Sequence, residues 1–566
     1  MKKTYKTIHF FIVLLSLASM KLGAQALSGA YTIDQTSAAS ATNFQSFNAL
    51  ATALNTNGVS AAVTVDVVPN TGPYNEQVQF NQISGVTGLN NVTINGNNNL
   101  ITFNGTSTQP WTIAFNGTDY FTINNLRVEG QNVSFAFPLK LWGGANFNVL
   151  SACQFSVPIA ATSSQACPIS ISGNGTSYSS ASLTTGDNNK ITNCLTYGGY
   201  AGIAIYRGTG SSPYTQGGNN EISNCTILDF YYTGIWNYAY ENGTKILYNT
   251  IQCPTRTNTT TKSGIYCYGA QNTIIDGNKI NNLFNASLIG TTGTCYGIYC
   301  WYNTISSYAG NVYPSPNRNI IRNNVITDIN FNGTLYGVMC NYFDGELYNN
   351  TISLDHTGAT SGTTYGIYTY AFQGNYVAYI QNNIVSITRG GTGTKYCYYN
   401  ASGTTGADIV TDRNDFYINS AGGTNYVGYY TTNALNLAAL QTQGANQNGF
   451  SVDPMYVTMG SDYHFTNATI NNQAMVKPIT LDAAYALRNA TTPDIGAYES
   501  LTPLCTGTPS MTVGGPTYSL CPGETANFGL NNLSSDNGYT FQWFQSSISQ
   551  VGPWTSLTPV TTTLIS

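Results

Sequence analysis

The stretch Ile321-Arg322-Asn323-Asn324 shows the pattern that decides the fold: an apolar residue, a polar residue, then asparagine beside a small or polar neighbour. Related stretches are Ile191-Thr192-Asn193-Cys194, Ile222-Ser223-Asn224-Cys225, Leu247-Tyr248-Asn249, Leu347-Tyr348-Asn349-Asn350 and Ile380-Gln381-Asn382-Asn383. A second marker is glycine followed by an aliphatic and usually an aromatic residue: Gly234-Ile235-Trp236, Gly264-Ile265-Tyr266, Gly297-Ile298-Tyr299, Gly337-Val338-Met339 and Gly366-Ile367-Tyr368. The flanks alternate apolar and polar residues, which is the period of a strand. Short strands that return after roughly 25–35 residues predict a β-solenoid.

Stacking explains why such a repeat would fold. A single coil cannot bury its inward side chains, whereas coils stacked about 4.8 Å apart pair every strand on both sides and form a continuous core. The recurring asparagine suits a tight corner, because its amide can bond the equivalent asparagine above and below. Asparagine also tolerates left-handed backbone better than most residues. We therefore assign the asparagine row a structural role.

A helix is predicted before the first strands of the repeat. One helical face collects Phe44, Phe47, Leu50, Ala51 and Leu54, and Gly58 follows as a stop signal. We expect this helix to cap the N-terminal end of the solenoid, because an uncovered β edge invites aggregation.

These repeats resemble those of the pectin-lyase-like superfamily, whose members are right-handed parallel β-helices. The opening Gly72-Pro73-Tyr74-Asn75-Glu76-Gln77-Val78 is similar to the first coil of secreted bacterial members. The close resembles their terminal coils: Asp453-Pro454-Met455-Tyr456, Asp462-Tyr463-His464-Phe465 and Asp494-Ile495-Gly496-Ala497-Tyr498-Glu499. The resemblance implies an all-β, right-handed parallel β-helix over residues 27–500. It does not fix an activity, because this fold hosts lyases, hydrolases, adhesins and inert stalks.

The composition changes after Thr502. Cys505-Thr506-Gly507, Cys521-Pro522-Gly523-Glu524 and Phe541-Gln542-Trp543 resemble the start of an immunoglobulin-like module. Residues 501–566 are therefore predicted to form a partial, truncated β-sandwich module, because about 60 residues remain where about 100 are usual.

The N-terminus predicts export. Lys2, Lys3 and Lys6 precede an uncharged apolar run, and Ala24-Gln25-Ala26 supplies a cleavage site, so residues 1–26 are predicted to be a signal peptide. The apolar run is too short to cross a bilayer, which takes about 20 residues. We expect a secreted or outer-surface bacterial protein without a transmembrane segment. Only 8% of residues are charged and the net charge is −5, so we expect neither nucleic-acid nor anionic-membrane binding.

The twelve cysteines do not indicate a metal site. No Cys-x-x-Cys pair occurs, and only His356 and His464 remain after removal of the signal peptide, so we expect no metal and no cofactor. Two cysteine columns emerge from the repeat, Cys153, Cys194 and Cys225 in one and Cys267, Cys300 and Cys340 in the other. Disulfides between neighbouring coils are possible but not required, and Cys505 and Cys521 could pair.

No catalytic residue is assigned. A pectate-lyase-like enzyme needs clustered acids for Ca²⁺ and a base, and a polygalacturonase-like hydrolase needs adjacent carboxylates. The candidate acids fall at different coil positions: Asp276, Asp328, Asp344, Asp355, Asp412 and Asp415. The arginines share no clear column with them: Arg207, Arg256, Arg322, Arg389 and Arg413. These charges are interpreted as solvated corners, His464 as a packing residue and His356 as a solvated loop residue.

The alternation predicts two outward aromatic rows. The position after each marker glycine should face the core, so positions two and four after it should face outward. The +2 row is Ala204, Trp236, Tyr266, Tyr299, Met339 and Tyr368, and the +4 row is Tyr206, Tyr238, Tyr268, Trp301, Asn341 and Tyr370. The predicted ligand-binding residues are Trp236, Tyr238, Tyr266, Tyr268, Tyr299, Trp301, Tyr368 and Tyr370. An exposed aromatic sheet suits binding of a glycan chain; alternatively, the rings simply stack on each other or lie under loops such as 303–319.

Three functions remain open at this point. The first is a non-catalytic, adhesin-like protein that binds polysaccharide or another surface through its aromatic sheet. The second is a polysaccharide lyase or glycoside hydrolase with an unrecognised acid cluster. The third is a structural stalk that spaces other modules.

Overall fold

The computed structural model describes residues 25–500 except 183, 209–216, 239–240, 258–260, 285–292, 302–317, 371–376 and 403–408, together with four short strands between residues 512 and 556. The chain divides into two compact units at the boundary between Ser500 and Leu501. Residues 1–24 of the predicted signal peptide lie outside the described residues, so the signal peptide stays a prediction.

The first unit is a parallel β-solenoid built from three sheets of 14, 12 and 13 strands, here called A, B and C. Each coil contributes one strand to A, then B, then C, as in Val92–Asn95, Leu100–Phe103 and Trp111–Asn116. The all-β, parallel β-helix architecture predicted from the repeat is confirmed, while its right-handed sense stays a prediction.

The strands follow the three sheets along the chain. Sheet A contains Leu27–Ile33, Asn43–Phe44, Val59–Val67, Val92–Asn95, Phe121–Asn124, Val149–Ser151, Lys190–Thr192, Glu221–Ser223, Lys245–Leu247, Ile274–Asp276, Asn319–Arg322, Gly345–Tyr348, Ala378–Gln381 and Ile409–Asp412. Sheet B contains Tyr74–Asn75, Leu100–Phe103, Arg127–Gly130, Gln154–Ser156, Leu195–Tyr197, Thr226–Leu228, Thr250–Gln252, Lys279–Asn281, Val325–Thr327, Thr351–Leu354, Ile384–Ile387 and Asp415–Ile418. Sheet C contains Val78–Phe80, Trp111–Asn116, Phe137–Trp142, Ile169–Ile171, Ala201–Tyr206, Thr233–Tyr238, Lys262–Tyr268, Thr294–Trp301, Thr334–Asn341, Thr364–Tyr370, Lys395–Asn400, Asn425–Tyr429 and the antiparallel Asn433–Ala434.

The core is a stack of in-register rows. The residues that follow the marker glycines are fully buried inside the solenoid: Ile203, Ile235, Ile265, Ile298, Val338 and Ile367. Each such side chain contributes about 1.5–3 kcal/mol on burial. The marker glycines are needed because the next coil passes close by. A Cβ on Gly297 would lie 2.5 Å from the Gly337 carbonyl oxygen and 2.7 Å from Ile326 Cγ2.

An asparagine ladder forms the corner between sheets A and B. Asn350 shows the pattern: its Nδ2 donates to Asn383 Oδ1 at 2.9 Å and to the Ile321 carbonyl at 3.0 Å, and its Oδ1 accepts from Asn324 Nδ2 at 2.9 Å. The ladder runs through Asn249, Asn278, Asn324, Asn350, Asn383, Asn414 and Asn446. The residue before a ladder member adopts left-handed backbone, as at Asn323, where φ is 53°. The structural role predicted for this row is confirmed.

The first cysteine column continues the ladder. The Cys225 amide donates to Asn249 Oδ1 at 2.9 Å, so Cys153, Cys194 and Cys225 occupy the ladder position in earlier coils. The second column faces the core. The described cysteines are all buried: Cys153, Cys167, Cys194, Cys225, Cys253, Cys267, Cys295, Cys300, Cys340 and Cys397. Cys505 and Cys521 lie outside the described residues.

The predicted helix is present as Phe47–Asn57. Ser46 Oγ accepts from the Ala49 amide at 3.0 Å, and the Glu76 carboxylate accepts from the amides of Phe47 and Asn48, which satisfies the first turn. Gly58 ends the helix with φ of 67°. Phe44, which was placed on the helical face, instead belongs to the strand Asn43–Phe44, because Ser46 starts the helix after it. That the helix caps the core stays a prediction.

Residues 451–500, here called the return segment, do not form terminal coils as the resemblance implied. They run over the outer side of sheet B after a hairpin of Tyr456–Thr458 and Asp462–Phe465. Their apolar side chains pack on outward residues of that sheet: Tyr463, Ala497 and Tyr498 on Val325, and Phe465, Ile470 and Ile495 on Ile384. A short helix, Leu437–Thr442, precedes the segment.

The described part of the second unit consists of two antiparallel strand pairs. Thr512–Gly514 pairs with Gly529–Asn531, and Phe544–Gln545 pairs with Thr555–Ser556. The immunoglobulin-like module stays a prediction, and Trp543 lies outside the described residues. Across the described chain, no helix has the length and apolarity needed to cross a membrane.

Candidate functional site

The outer face of sheet C carries the two aromatic rows expected from the alternation. Strand register aligns Trp236, Tyr266, Tyr299, Met339 and Tyr368 in the +2 row, and Tyr206, Tyr238, Tyr268, Trp301, Asn341 and Tyr370 in the +4 row. The first part of this face forms an apolar cluster separate from the solenoid core. The outward facing of both rows is therefore confirmed, although their binding role is not tested by this geometry.

The N-terminal part of the +2 row is closed. Trp236 and Tyr266 retain only 8% and 7% of their exposure. The rings of Tyr178, Tyr200 and Tyr232 lie 5.3–6.0 Å from the Trp236 ring. The prediction that Trp236 and Tyr266 form part of an exposed surface is therefore wrong, because tyrosines from neighbouring turns fold over them.

The +4 row is a stack of nearly parallel rings. Ring centroids are 5.1 Å apart for Tyr206 and Tyr238 and 4.5 Å apart for Tyr238 and Tyr268, with interplanar angles of 9° and 12°. Tyr268 then meets Trp301 edge-on at 5.7 Å. The stacking alternative weighed from the sequence is thus part of the structure. Each of these rings is half-buried.

A third row was missed from the sequence. Tyrosines immediately before the marker glycine, or at the equivalent position, align as Tyr296, Tyr336, Tyr365, Tyr396 and Tyr426. We call this the −1 row. Successive rings lie 4.8–5.7 Å apart with interplanar angles of 6–16°. The signal in the sequence was the tripeptide Tyr-Gly-aliphatic, as in Tyr365-Gly366-Ile367.

The −1 and +2 rows interlock over the C-terminal coils. The +2 row continues from Tyr368 to Tyr399 and Tyr429, with centroids 5.5 and 4.7 Å apart. Rings of the two rows meet at steep angles, 81° for Tyr365 and Tyr368 and 75° for Tyr396 and Tyr399. Such edge-to-face contacts are the favoured geometry for aromatic pairs. The result is a tyrosine surface, here called the aromatic face, comprising Tyr296, Tyr299, Tyr336, Tyr365, Tyr368, Tyr396, Tyr399, Tyr426 and Tyr429. Its rings are half-buried except Tyr396, which is 9% exposed.

Burial raises the pKa of several tyrosine hydroxyls on this face above the ordinary value. Burial raises the pKa of Tyr336 to about 12. Burial also raises the pKa of Tyr299, Tyr365, Tyr368 and Tyr399, with nearby tyrosines adding to the effect. A protonated phenol both donates and accepts a hydrogen bond. The aromatic face therefore offers apolar carbon and uncharged hydrogen-bonding groups side by side.

The scattered charges are not solvated corners, as the sequence suggested. Asp276 and Arg322 are register partners and ion-paired at 2.7 Å, so one arginine does share a column with an acid. Buried Asp344 pairs with Arg318 at 3.1 Å. Arg389 is buried and donates to backbone carbonyls, including that of Phe331 at 2.8 Å. Protein partners, rather than water alone, therefore satisfy these groups.

Three further charged residues are also hydrogen-bonded within the fold. Arg256 is buried and donates to the Ala161 carbonyl at 2.7 Å. Arg413 Nη1 donates to the Gln473 carbonyl at 2.8 Å, and the Asp412 carboxylate accepts from the Asn448 amide at 2.9 Å.

Two acids meet beneath the return segment. The Tyr463 hydroxyl lies 2.9 Å from Asp328 Oδ1 and 2.8 Å from Asp355 Oδ2. Burial raises the pKa of Asp355 to about 6, with a further contribution from Asp328. Tyr463 itself is almost fully buried. The sequence did not bring these acids together, because the tyrosine that joins them arrives from a distant segment.

The two histidines lie in different environments. His464 Nδ1 lies 2.6 Å from Asp462 Oδ1 and its ring stacks on Tyr498 at 4.2 Å, which fits the packing role expected for it. His356 Nε2 is buried rather than solvated, and burial lowers the pKa of the ring. Over the part of the chain that the structure describes, no group of three His, Cys, Asp or Glu side chains could hold a metal ion.

No family model and no curated protein matches the chain. Among solved structures it is similar to the periplasmic alginate epimerase AlgG, with 13% identity and a TM-score of 0.38 over 65% of this chain and 75% of that chain. It is also similar to the surface adhesin PfbA of Streptococcus pneumoniae, with 11% identity and a TM-score of 0.33 over 62% of this chain and 80% of that chain. A third similar structure is a mannuronic-acid-specific family 6 polysaccharide lyase from human gut microbiota. It shares 10% identity with this chain, and the TM-score is 0.34 over 70% of this chain and 83% of that chain. At these identities and TM-scores the similarities assign no activity to this chain.

Proposed function

We propose that this chain is a secreted or cell-surface, non-catalytic β-helix protein that binds polysaccharide through the aromatic face of sheet C. The observation that carries the proposal is the interlocked pair of tyrosine rows between Tyr296 and Tyr429, half-buried on the outside of the solenoid. Soluble proteins rarely expose a contiguous apolar surface of this kind. Where they do, the surface generally marks a binding site.

The chemistry of the face matches that of a sugar chain. A pyranose ring has apolar C–H patches that pack on aromatic carbon, and a rim of hydroxyls that exchange hydrogen bonds with phenols. Rings fixed by their neighbours lose little conformational entropy on binding. A solenoid repeats its rows along one axis, so an extended polymer can meet several coils at once, and the contributions combine as in multivalent binding.

Compared with the surface expected from the sequence, the proposed surface loses residues at its N-terminal end and gains residues at its C-terminal end. Tyr299 and Tyr368 remain central. Trp236 and Tyr266 support the face from below, whereas Tyr365 and Tyr399 enlarge it. Along the edge lie Tyr238, Tyr268, Trp301 and Tyr370.

The setting of the face is also part of the proposal. Export through residues 1–26, a helix that caps the solenoid and an immunoglobulin-like module after residue 500 would together make an adhesin-like surface protein. In that arrangement the solenoid is both the spacer and the binding element. Protease accessibility of the intact protein on whole cells tests the location independently of binding.

The test is a panel of neutral and acidic polysaccharides, assayed for co-sedimentation with the full chain and for new chain ends. Tyr299→Ala with Tyr368→Ala should reduce the retained fraction about tenfold or more, because two anchoring rings are lost. The matched control is Phe147→Ala with Tyr485→Ala, which removes two aromatic rings that are 44% and 54% exposed and lie outside sheet C. Equal loss in both variants, or no binding by the wild type, would contradict the proposal.

A second candidate function is polysaccharide cleavage, favoured by the Asp328 and Asp355 carboxylates that share the Tyr463 hydroxyl. A carboxylic acid with its pKa raised to about 6 suits general acid chemistry. The return segment covers this pair, so the binding function ranks first. New chain ends that appear with the wild type and vanish with Asp355→Asn would reverse that order.

A further inference from the structure

The lysine and arginine side chains in and beside the strands of sheet C are buried and bonded to groups other than the aromatic face. Lys140 is the one that points outward, yet it is fully buried and its Nζ donates to Ser170 Oγ at 2.7 Å, Ser172 Oγ at 2.7 Å and the Ser177 carbonyl at 2.8 Å. Arg207, next to the +4 row, is buried and paired with Glu241 and Asp187.

The other two lysines of the sheet are also buried and donate to backbone carbonyls. Buried Lys262 donates to the Phe230 carbonyl at 3.3 Å and lies over the Phe230 and Phe284 rings. Buried Lys395 donates to three glycine carbonyls, with the shortest contact 2.8 Å to Gly391. Among the described residues of the sheet C strands, no lysine or arginine is left to meet an anion on the aromatic face.

The sequence extends this statement to the segments between the described strands. Residues 209–216, 239–240, 258–260, 285–292, 302–317, 371–376 and 403–408 contain neither lysine nor arginine. Their single charged residue is Asp408, an acid. These segments therefore contain no cation for a ligand on the face.

An acidic glycan would bind such a face poorly. A uronic acid or sulfated polymer carries an anion on most of its sugars, and proteins satisfy these with Arg or Lys in charge-assisted hydrogen bonds. Pressing an anion against half-buried tyrosines would remove part of its hydration without compensation. The hydroxyls of a neutral sugar lose much less hydration free energy, because phenols can replace the water molecules that the sugar gives up.

We infer that the ligand of the aromatic face is a neutral polysaccharide, bound by ring contacts and hydroxyl hydrogen bonds without ion pairs. This inference rests on the proposed function and adds the class of ligand to it.

The experiment compares polymers that share a backbone and differ in charge. Fully methyl-esterified pectin is paired with polygalacturonate, and hydroxyethylcellulose with carboxymethylcellulose, in affinity electrophoresis of the full chain. We expect a neutral member to bind at least about tenfold more tightly than its anionic partner, a difference worth about 1.4 kcal/mol. Binding should stay constant between about 0.01 M and about 1 M NaCl, where the Debye length falls from roughly 30 Å to 3 Å.

The outcomes separate the two proposals. Tighter binding of an anionic member, weakened by salt and lost with Tyr299→Ala and Tyr368→Ala, would overturn the neutral-ligand inference and leave the aromatic face as the binding site. Neutral binding that survives both substitutions would place the ligand elsewhere and overturn both proposals. Absence of binding to every polymer would overturn both as well.

Discussion

At the scale of single residues, this chain depends on buried polar groups, most of which are hydrogen-bonded inside the fold. Asparagines are repeated where the coil turns, because one amide can bond the coil above, the coil below and its own backbone corner. Buried arginines such as Arg389 donate to backbone carbonyls of neighbouring turns. Asp415 is one exception, since its Oδ1 accepts from the Val452 amide while its Oδ2 is buried without a partner.

That exception predicts a pH dependence. Burial raises the pKa of Asp415 to about 8, above about 3.9 for an unfolded aspartate. Between these values the folded state holds a proton that the unfolded state has lost, so this group makes stability fall as pH rises from about 4 through 8. Asp415→Asn should raise the thermal midpoint at about pH 9 and lose that advantage towards pH 4.

The control for this titration is Asp66→Asn at an exposed strand position. It should leave the pH profile of the thermal midpoint unchanged. An Asp415→Asn profile parallel to that of the wild type across the range would contradict the assignment.

At the scale of elements, the corners and the marker glycines specify the coil. Both could be predicted from the sequence, because each recurs with fixed chemistry: an amide at the corner and no Cβ where coils approach. The return segment could not be predicted as a cover for sheet B. Its contacts, such as Tyr463 with Asp328 and Asp355, join residues more than 100 positions apart, and no local pattern encodes them.

The asparagine ladder gives a prediction at this scale. Asn350→Ala removes the bonds to Asn324 and Asn383 and leaves buried partners unsatisfied, so we expect a loss of about 2–4 kcal/mol in unfolding free energy. Denaturant unfolding followed by circular dichroism measures it. The control is Asn48→Ala, at an exposed position of the helix Phe47–Asn57. It should lower the unfolding free energy by no more than a few tenths of the loss expected for Asn350→Ala. Similar losses in the two variants would show that the ladder has no special role.

At the scale of the whole molecule, the solenoid converts a short repeat into long rows. The sequence was sufficient for the facing of the +2 and +4 rows, because alternation holds after the marker glycine and Ile298 lies inside. It was insufficient for exposure, because Trp236 and Tyr266 are covered by rings from other turns. It also missed the −1 row, since Tyr336 and Tyr365 precede the marker from which the positions were counted.

The central claim is that a glycan lies on the aromatic face, and tyrosine footprinting tests it most directly. The full chain is oxidised by hydroxyl radicals with and without a polysaccharide retained in the panel, and modification is quantified for each tyrosine by mass spectrometry. We predict protection of Tyr299, Tyr365, Tyr368 and Tyr399, with Tyr31 and Tyr485 unchanged. Protection spread evenly over all tyrosines, or confined to residues outside sheet C, would contradict the claim.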